Sequence, residues 1–344
     1  MYTETKKARG ISMNRTISDI AKIAGVAKST VSRYLNGGSV SDSTKKKIEL
    51  VINETGYVPN TFAQSLKAKK TNIIGTIVPR LDSYAASNTL IGIDEELRNQ
   101  NYQMLIANTN QDLEREIESL YSFERQKVAG IILLATVITE AHLEAFQKIQ
   151  IPVLLVGQYN ENTYSLIHDD YAASYELAKN ILEKGHRKIA YLGVTEKDIA
   201  VGIKRKQGFK AAVKEYPNCD VRYYETGFKI LDAMKAADSI LDDFQPTMLF
   251  CATDNIALGA LKASYLKGVN VPGDLSIVGF GGYEITEVIH PAITTAKFHY
   301  KEAGHMAAQQ IVRLVNGEEI QKLTLSRFEI IERESVDNLT DSKI

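Results

Sequence analysis

Six consecutive positions hold Lys28, Ser29, Thr30, Ser32 and Arg33, which bring an ammonium, three hydroxyls and a guanidinium onto one short stretch. Hydroxyls and backbone amides suit phosphate oxygens, and a guanidinium can grip the O6 and N7 edge of guanine with two parallel hydrogen bonds. On this reading Lys28, Ser29 and Arg33 reach base edges, and Thr30 and Ser32 meet phosphate. A second, scattered set is Arg80, Asp82, Tyr84, Gln158, Arg205, Asp254 and Tyr283. Carboxylates, an amide and arginines can fork onto paired hydroxyls, and an aromatic ring can cover the apolar face of a sugar.

The first set needs a scaffold. The segment ISDIAKIAGVAKSTVSRYL, from Ile17 to Leu35, supplies it. Ser18 is expected to cap a helix carrying Ile20, Ala21, Ile23 and Ala24, and Gly25 to give the tight turn. A second helix from about Lys28 to Leu35 turns Val31, Tyr34 and Leu35 inward at helical spacing, which leaves Lys28, Ser29, Ser32 and Arg33 outside. A third helix is expected from Ser41 to about Thr55, closed by Gly56, with Lys45, Lys46 and Lys47 either solvated or on phosphate. This is a helix-turn-helix pattern, whose second helix enters the major groove.

The second set sits just beyond strand-like runs: Ile73–Val78, Gln103–Ala107, Gly130–Leu134, Val153–Val156, Ile189–Leu192, Met248–Cys251 and Leu275–Val278. Helical stretches lie between most of them, so an α/β fold of two parallel-sheet lobes is expected, with a ligand cleft at the carboxyl ends of the strands. Asp170 is read as a helix cap; Asp254 fits a cap or a ligand contact, and Arg205 a ligand contact or a surface charge. Late in the chain, His290–Thr295 leads into a strand, the helix Lys301–Asn316 and a final strand Leu323–Ile331.

Charge divides the chain in the same place. Residues 1–70 hold 13 Lys and Arg against 5 Asp and Glu, whereas the remainder holds 28 against 37. A basic head on an acidic body points the head at a polyanion. The expected divisions are an extension (1–15, with Met13 an alternative start), the helix-turn-helix (16–57), a hinge helix and linker (58–71), the two-lobed core (72–335) and a polar tail (336–344). No apolar run approaches the ~20 residues of a membrane span, the first residues lack a secretory core, and Cys219 and Cys251 read as reduced thiols, so a cytoplasmic protein is expected.

The text TISDIAKIAGVAKSTVSRYLN followed by GYVPNTFAQSLKAKKTNIIG resembles the LacI/GalR family of bacterial repressors over nearly the whole chain. The resemblance implies a homodimer on double-stranded operator DNA, with Lys28, Ser29 and Arg33 reading bases. It also implies a hinge helix over Asn60–Leu66 that pairs with its twin in the minor groove, where Leu66 wedges a base step beside Lys67 and its neighbouring lysines. Arg205 matches the family's ligand-binding arginine in R-x-x-G-F. Ala27 stands where a serine is more usual, and Gly281-Gly282 where an effector-binding aspartate is common. The stretches VPRLDSYA, VGIKRKQGF and VGFGGYE are most similar to sucrose-operon repressors of Gram-positive bacteria, which implies sucrose, fructose or a phosphorylated sugar as effector.

Other classes fit less well. A sugar-uptake protein would need a secretion signal and no DNA-binding head; a global regulator steered by a phosphorylated partner protein stays as the alternative within regulation. No GxxxxGK[ST] is present, His299 and His305 are six apart rather than four, and no Ser/His/Asp motif is recognisable. Neither a cofactor, a metal nor an enzymatic activity is expected.

Overall fold

Thr16, not Ser18, opens the first helix. In the computed structural model, which describes residues 15–35, 38–57 and 71–340, Thr16 accepts from the Asp19 amide at 3.4 Å while Asp19 accepts from the Thr16 amide at 2.8 Å. A cap at Ser18 would put Ala21 three residues on, with no acceptor to reach back; Asp19 completes the reciprocal box from Thr16. Helix α1 (Ile17–Ala24) ends at Gly25, whose φ of 65° turns the chain into α2 (Lys28–Leu35). Helix α3 (Asp42–Thr55) follows and stops at Gly56. Ile20, Ala21, Ala24, Val31, Ile48 and Val51 form the small core, with Val26, Tyr34 and Leu35 half-buried against it. Tyr34 also donates to Glu49 at 3.0 Å, which ties α2 to α3.

A division between Thr71 and Asn72 separates this unit from the larger one. The larger unit runs β1 (Ile73–Val78), α4 (Tyr84–Asn99), β2 (Gln103–Asn108), α5 (Leu113–Arg125), β3 (Gly130–Leu134), α6 (Glu140–Lys148), β4 (Val153–Val156) and β5 (Tyr164–His168). It continues through α7 (Asp170–Glu183), β6 (Lys188–Gly193), a π-helical turn (Ile199–Lys204), α8 (Arg205–Val213), β7 (Asp220–Glu225), α9 (Ile230–Asp243), β8 (Met248–Cys251) and α10 (Asp254–Lys267). Last come β9 (Ser276–Gly281), α11 (Ile285–Val288), β10 (Thr294–Phe298), α12 (Tyr300–Val315), β11 (Leu323–Ser326) and β12 (Phe328–Ile331).

Two six-stranded sheets result, in the orders β11-β5-β4-β3-β1-β2 and β12-β10-β9-β8-β6-β7. All neighbours are parallel except β10 and β12. Runs such as GIILL and MLFC are buried along their whole length, as a sheet with helices on both faces requires. The C-terminal lobe packs around Tyr191, Phe209, Phe250 and Phe280, each large side chain contributing about 1.5–3 kcal/mol by leaving water.

Two expectations are corrected. The single strand Leu323–Ile331 is two strands that break at Arg327, because β11 closes one sheet and β12, antiparallel to β10, closes the other. Residues 336–340 do not trail off. The Asp337 amide donates to Ser276 Oγ at 2.9 Å and the Leu339 amide to the Lys184 carbonyl at 2.8 Å. Those two hydrogen bonds pin a polar stretch onto the second lobe, a signal composition does not carry.

Candidate DNA-reading head and interlobe site

On the head, burial of Val31 fixes which face of α2 remains. Lys28, Ser29 and Arg33 are exposed, and Thr30 and Ser32 are half-buried. The Gly38 amide donates to the Arg33 carbonyl at 2.8 Å, which ends the helix just past the arginine. Lys45, Lys46 and Lys47 are exposed near the start of α3. Asn60, Leu66 and Lys67 lie outside the described residues.

The chain crosses between the two lobes three times: from β5 into α7 at 168–170, from β10 into α12 at 298–300, and from β11 into β12 at 326–328. The first crossing builds an ion pair. Asp169 caps α7, accepting from the Ala172 amide at 2.9 Å. Asp170, the next residue, is therefore released from the capping role expected of it, and its buried carboxylate accepts from Arg205 Nε at 2.7 Å.

Arg205 is only 5% exposed, so it is no surface charge. It heads α8 directly after the π-helical turn, a distortion often found at functional positions. Its Nη1 donates to the Ala252 carbonyl at 2.6 Å, and its guanidinium lies over the Phe280 and Phe298 rings at 4.9 and 5.2 Å. Burial works against the charge, but the Asp170 carboxylate prevails and holds the guanidinium above its ordinary pKa. A fixed, charged, planar donor results.

Asp254 is fully buried and does not cap α10; Thr253 does, accepting from the Ile256 amide at 3.2 Å. Asp254 instead accepts from Thr295 Oγ1 and from the Tyr283 amide, each at 2.7 Å. It thereby fastens the loop after β9 to β10. Burial pushes its carboxyl up to about 6, against the two hydrogen bonds that pull it down.

That loop carries Tyr283, whose ring stacks on Tyr84 from the other lobe with centroids 4.1 Å apart. Gly281 has φ 133°, and a Cβ there would lie 2.2 Å from the Tyr283 ring. The space an aspartate side chain would use is thus filled by the tyrosine ring. Tyr84 also lies edge-on to Tyr300 at 6.3 Å. A cavity of about 250 Å³ opens between the lobes beside this cluster, with Tyr84, Gly282, Lys297, Tyr300, Lys301 and His305 in its wall.

The structure thus gathers Tyr84, Arg205, Asp254 and Tyr283. Arg80 reaches across the lobes to cover the Phe228 ring at 5.2 Å. Asp82 pairs with it at 3.5 Å, but its side chain is 78% exposed. Gln158 is buried beyond the end of β4, apart from the hydrogen bonds that tie Arg205 to Asp170 and Tyr283 to Asp254. Sequence reasoning missed Phe280, Phe298 and Tyr300, whose apolar bodies read as core. It also missed Tyr191, whose buried hydroxyl has no hydrogen-bond partner among the described residues. Its strand, KIAYLG, is buried from Ile189 onward, and a buried run gives no hint that one hydroxyl feels the charges of Arg205 and Asp170.

Among the described residues no helix is long and apolar enough to cross a membrane, and no cluster of three or more metal-ligating side chains forms. Residues 16–60 match the family model of bacterial regulatory proteins of the lacI family, and residues 178–336 match a periplasmic binding protein-like domain. The sucrose operon repressor of Staphylococcus xylosus is 40% identical over 90% of this chain and 96% of its own length. The chain belongs to the LacI family. Catabolite control protein A of Priestia megaterium is a second relative, 30% identical over 90% of this chain and 95% of its own. Among solved structures, the lac repressor dimer bound to operator and the anti-inducer ONPF superposes with a TM-score of 0.88, covering 94% of this chain and 100% of that one at 22% identity. This LacI-family protein is a DNA-binding transcriptional repressor with a helix-turn-helix head and a two-lobed, periplasmic-binding-protein-like core.

Proposed function

We propose that the chain represses a carbohydrate-utilisation operon, and that a sugar held between the core lobes sets its affinity for operator DNA. The observation that carries this reading is Arg205. A buried guanidinium, oriented by Asp170 and Ala252 and set among aromatic rings, is built to fork onto vicinal hydroxyls. Tyr84 and Tyr283 supply stacking surface from opposite lobes, and the orphan hydroxyl of Tyr191 offers a further polar contact. The effector contacts are assigned to Arg205, Tyr84, Tyr283 and Gln158, with Arg80 at the rim. Asp254 and Asp82 act at one remove, one by holding the Tyr283 loop and the other by holding Arg80. The S. xylosus relative, named for a sucrose operon, favours sucrose, fructose or a derivative as the effector.

In the head, Lys28, Ser29 and Arg33 are assigned to base edges and Thr30 and Ser32 to phosphate; Asn60, Leu66 and Lys67 are assigned to the minor groove. The working form is a homodimer. Leu231, Tyr265 and Val288, exposed by 66, 75 and 72%, provide apolar surface on the C-terminal lobe for a second copy. The test is a thermal-shift screen of the full chain against sucrose, fructose and their phosphates, followed by titration of a duplex selected from a random library with each stabilising compound. A sugar that raises the melting temperature and changes duplex affinity supports the reading. Duplex binding that responds to none of them, but responds to a phosphorylated protein, replaces it with the partner-controlled alternative.

A further inference from the structure

His168 is the last residue of β5, and Ser326 stands opposite it as the last residue of β11. The His168 Nδ1 and the Ser326 Oγ share a hydrogen bond. The same imidazole packs against Phe298 with centroids 4.9 Å apart, and meets Tyr300 edge-on at 5.1 Å. These four residues belong to the three crossings: His168 begins the first, Phe298 and Tyr300 bracket the second, and Ser326 begins the third. Phe298 also contacts Phe328, just past the third crossing, at 6.5 Å.

Two-lobed proteins change the angle between lobes by rotating a few residues at the crossings. Three independent crossings could each take up such a rotation locally, and the displacement would be lost before it reached the lobes. A ring clamped to all three forbids that. Two residues after His168 comes Asp170, the partner of Arg205, so the clamp is joined through one short stretch of backbone to the group that meets the ligand. We propose that His168 is the positioning residue that makes the three crossings move as a unit, so that a ligand seated on Arg205 resets the lobe angle rather than a single strand.

The consequence for DNA rests on the sugar reading given above, whereas the clamp itself does not. The imidazole is kept neutral for this role. Loss of solvent lowers its pKa to about 4, and the Arg205 charge works in the same direction, against Asp170. It therefore acts as a hydrogen-bonding ring and not as a proton-driven switch.

The clamp is tested in the full chain without ligand by hydrogen exchange on the parent, Ser326→Ala and His168→Asn. The expected result for Ser326→Ala is exchange faster by about tenfold or more at all three crossings together, since they share one opening equilibrium. His168→Asn, whose amide stands where Nδ1 does and can still bond Ser326, retains part of the protection that Ser326→Ala loses. Acceleration confined to the crossing that carries the substitution overturns the proposal. The second arm measures affinity for sucrose and fructose and their effect on duplex affinity. The clamp predicts sugar affinity within about threefold of the parent and a sugar-induced change in duplex affinity reduced by about tenfold in Ser326→Ala. An unreduced change overturns it as well. If neither sugar binds the parent, the sugar reading fails, and the exchange pattern still decides the clamp.

Discussion

Arg205 Nε and Asp170 Oδ1 lie 2.7 Å apart with both side chains more than nine-tenths buried. A pair in this setting is far more costly to halve than to lose, because the surviving charge stays buried without its counter-charge. Asp170→Ala is therefore expected to destabilise the core by about 3–5 kcal/mol, and Arg205→Ala by a similar amount. Arg205→Lys cannot serve both Asp170 and the Ala252 carbonyl in the planar geometry that the guanidinium provides. Arg205→Lys should fold, retain affinity for the selected duplex, and lose its response to sugar. Chemical denaturation and isothermal calorimetry check both expectations. Unchanged sugar affinity in Arg205→Lys removes Arg205 from the site.

The same pair bears on which sugar binds. Asp170 already balances Arg205, and Asp254 and Asp198 add acidic groups nearby whose carboxyls are both raised by burial. Arg80 is engaged with Asp82 at the rim, and Lys297 and Lys301 pair with Glu329 and Glu95. A phosphate, at about −1.5 to −2 charges near pH 7, would meet no uncommitted buried cation among these groups. A neutral sugar is expected to bind at least about tenfold more tightly than its phosphate, a difference of about 1.4 kcal/mol. Calorimetry with sucrose and sucrose 6-phosphate measures it. Tighter binding of the phosphate reverses the assignment.

Asp254 gives a pH dependence with a definite sign. Its folded-state pKa of about 6 lies above its ordinary value of 3.8, so the folded protein holds this proton more tightly than the unfolded chain does. The resulting stabilisation is present below pH 4 and is lost as pH rises through about 6. Between pH 7 and pH 5 this group should add on the order of 1 kcal/mol to stability. Asp254→Asn can still accept from the Tyr283 amide and donate to Thr295, so it should fold and show a stability profile lacking that increment. Urea midpoints of parent and variant at pH 5, 6 and 7 provide the comparison; parallel profiles would show that Asp254 titrates normally.

Much of this was legible in the sequence because the signals were local. Runs such as IIGTIV and MLFC, with helices between them, announce parallel strands, and Gly25 between two apolar helical patterns announces the turn. Strand β7, DVRYYE, escaped notice because an edge strand half in water carries charges rather than a continuous apolar run. The split at Arg327 escaped because SRFEII reads as one extended run, and only the second sheet decides that Phe328 leaves the first. At the site, Tyr283 could be chosen from its place after a strand, and Arg205 from its match to the R-x-x-G-F pattern of the family it resembles. Asp170's role could not, since Asp169 and Asp170 are equivalent as caps in one dimension and only folding shows which one the helix uses. His168 and Ser326 are 158 residues apart, and nothing local connects them.

The head offers a prediction that separates reading from mere attraction. Arg33 and Lys46 are both exposed cations on the same small unit, so bulk electrostatics treats them alike. Arg33 sits on α2, the helix whose outer face is free once Val31 is buried, whereas Lys46 sits on α3 outside that face. A guanidinium on a guanine edge discriminates by about 1–3 kcal/mol at one base pair. An ammonium on phosphate adds a uniform, salt-dependent term and no discrimination. Arg33→Ala should therefore weaken the selected duplex by about tenfold to a hundredfold while leaving a scrambled duplex within about threefold. Lys46→Ala should weaken both by the same factor, and its loss should lower the slope of log affinity against log salt by no more than about 0.9. Fluorescence anisotropy on the two duplexes at three salt concentrations measures all of these quantities. Equal losses on both duplexes for Arg33→Ala would place that arginine on the backbone and leave Lys28 and Ser29 to account for specificity.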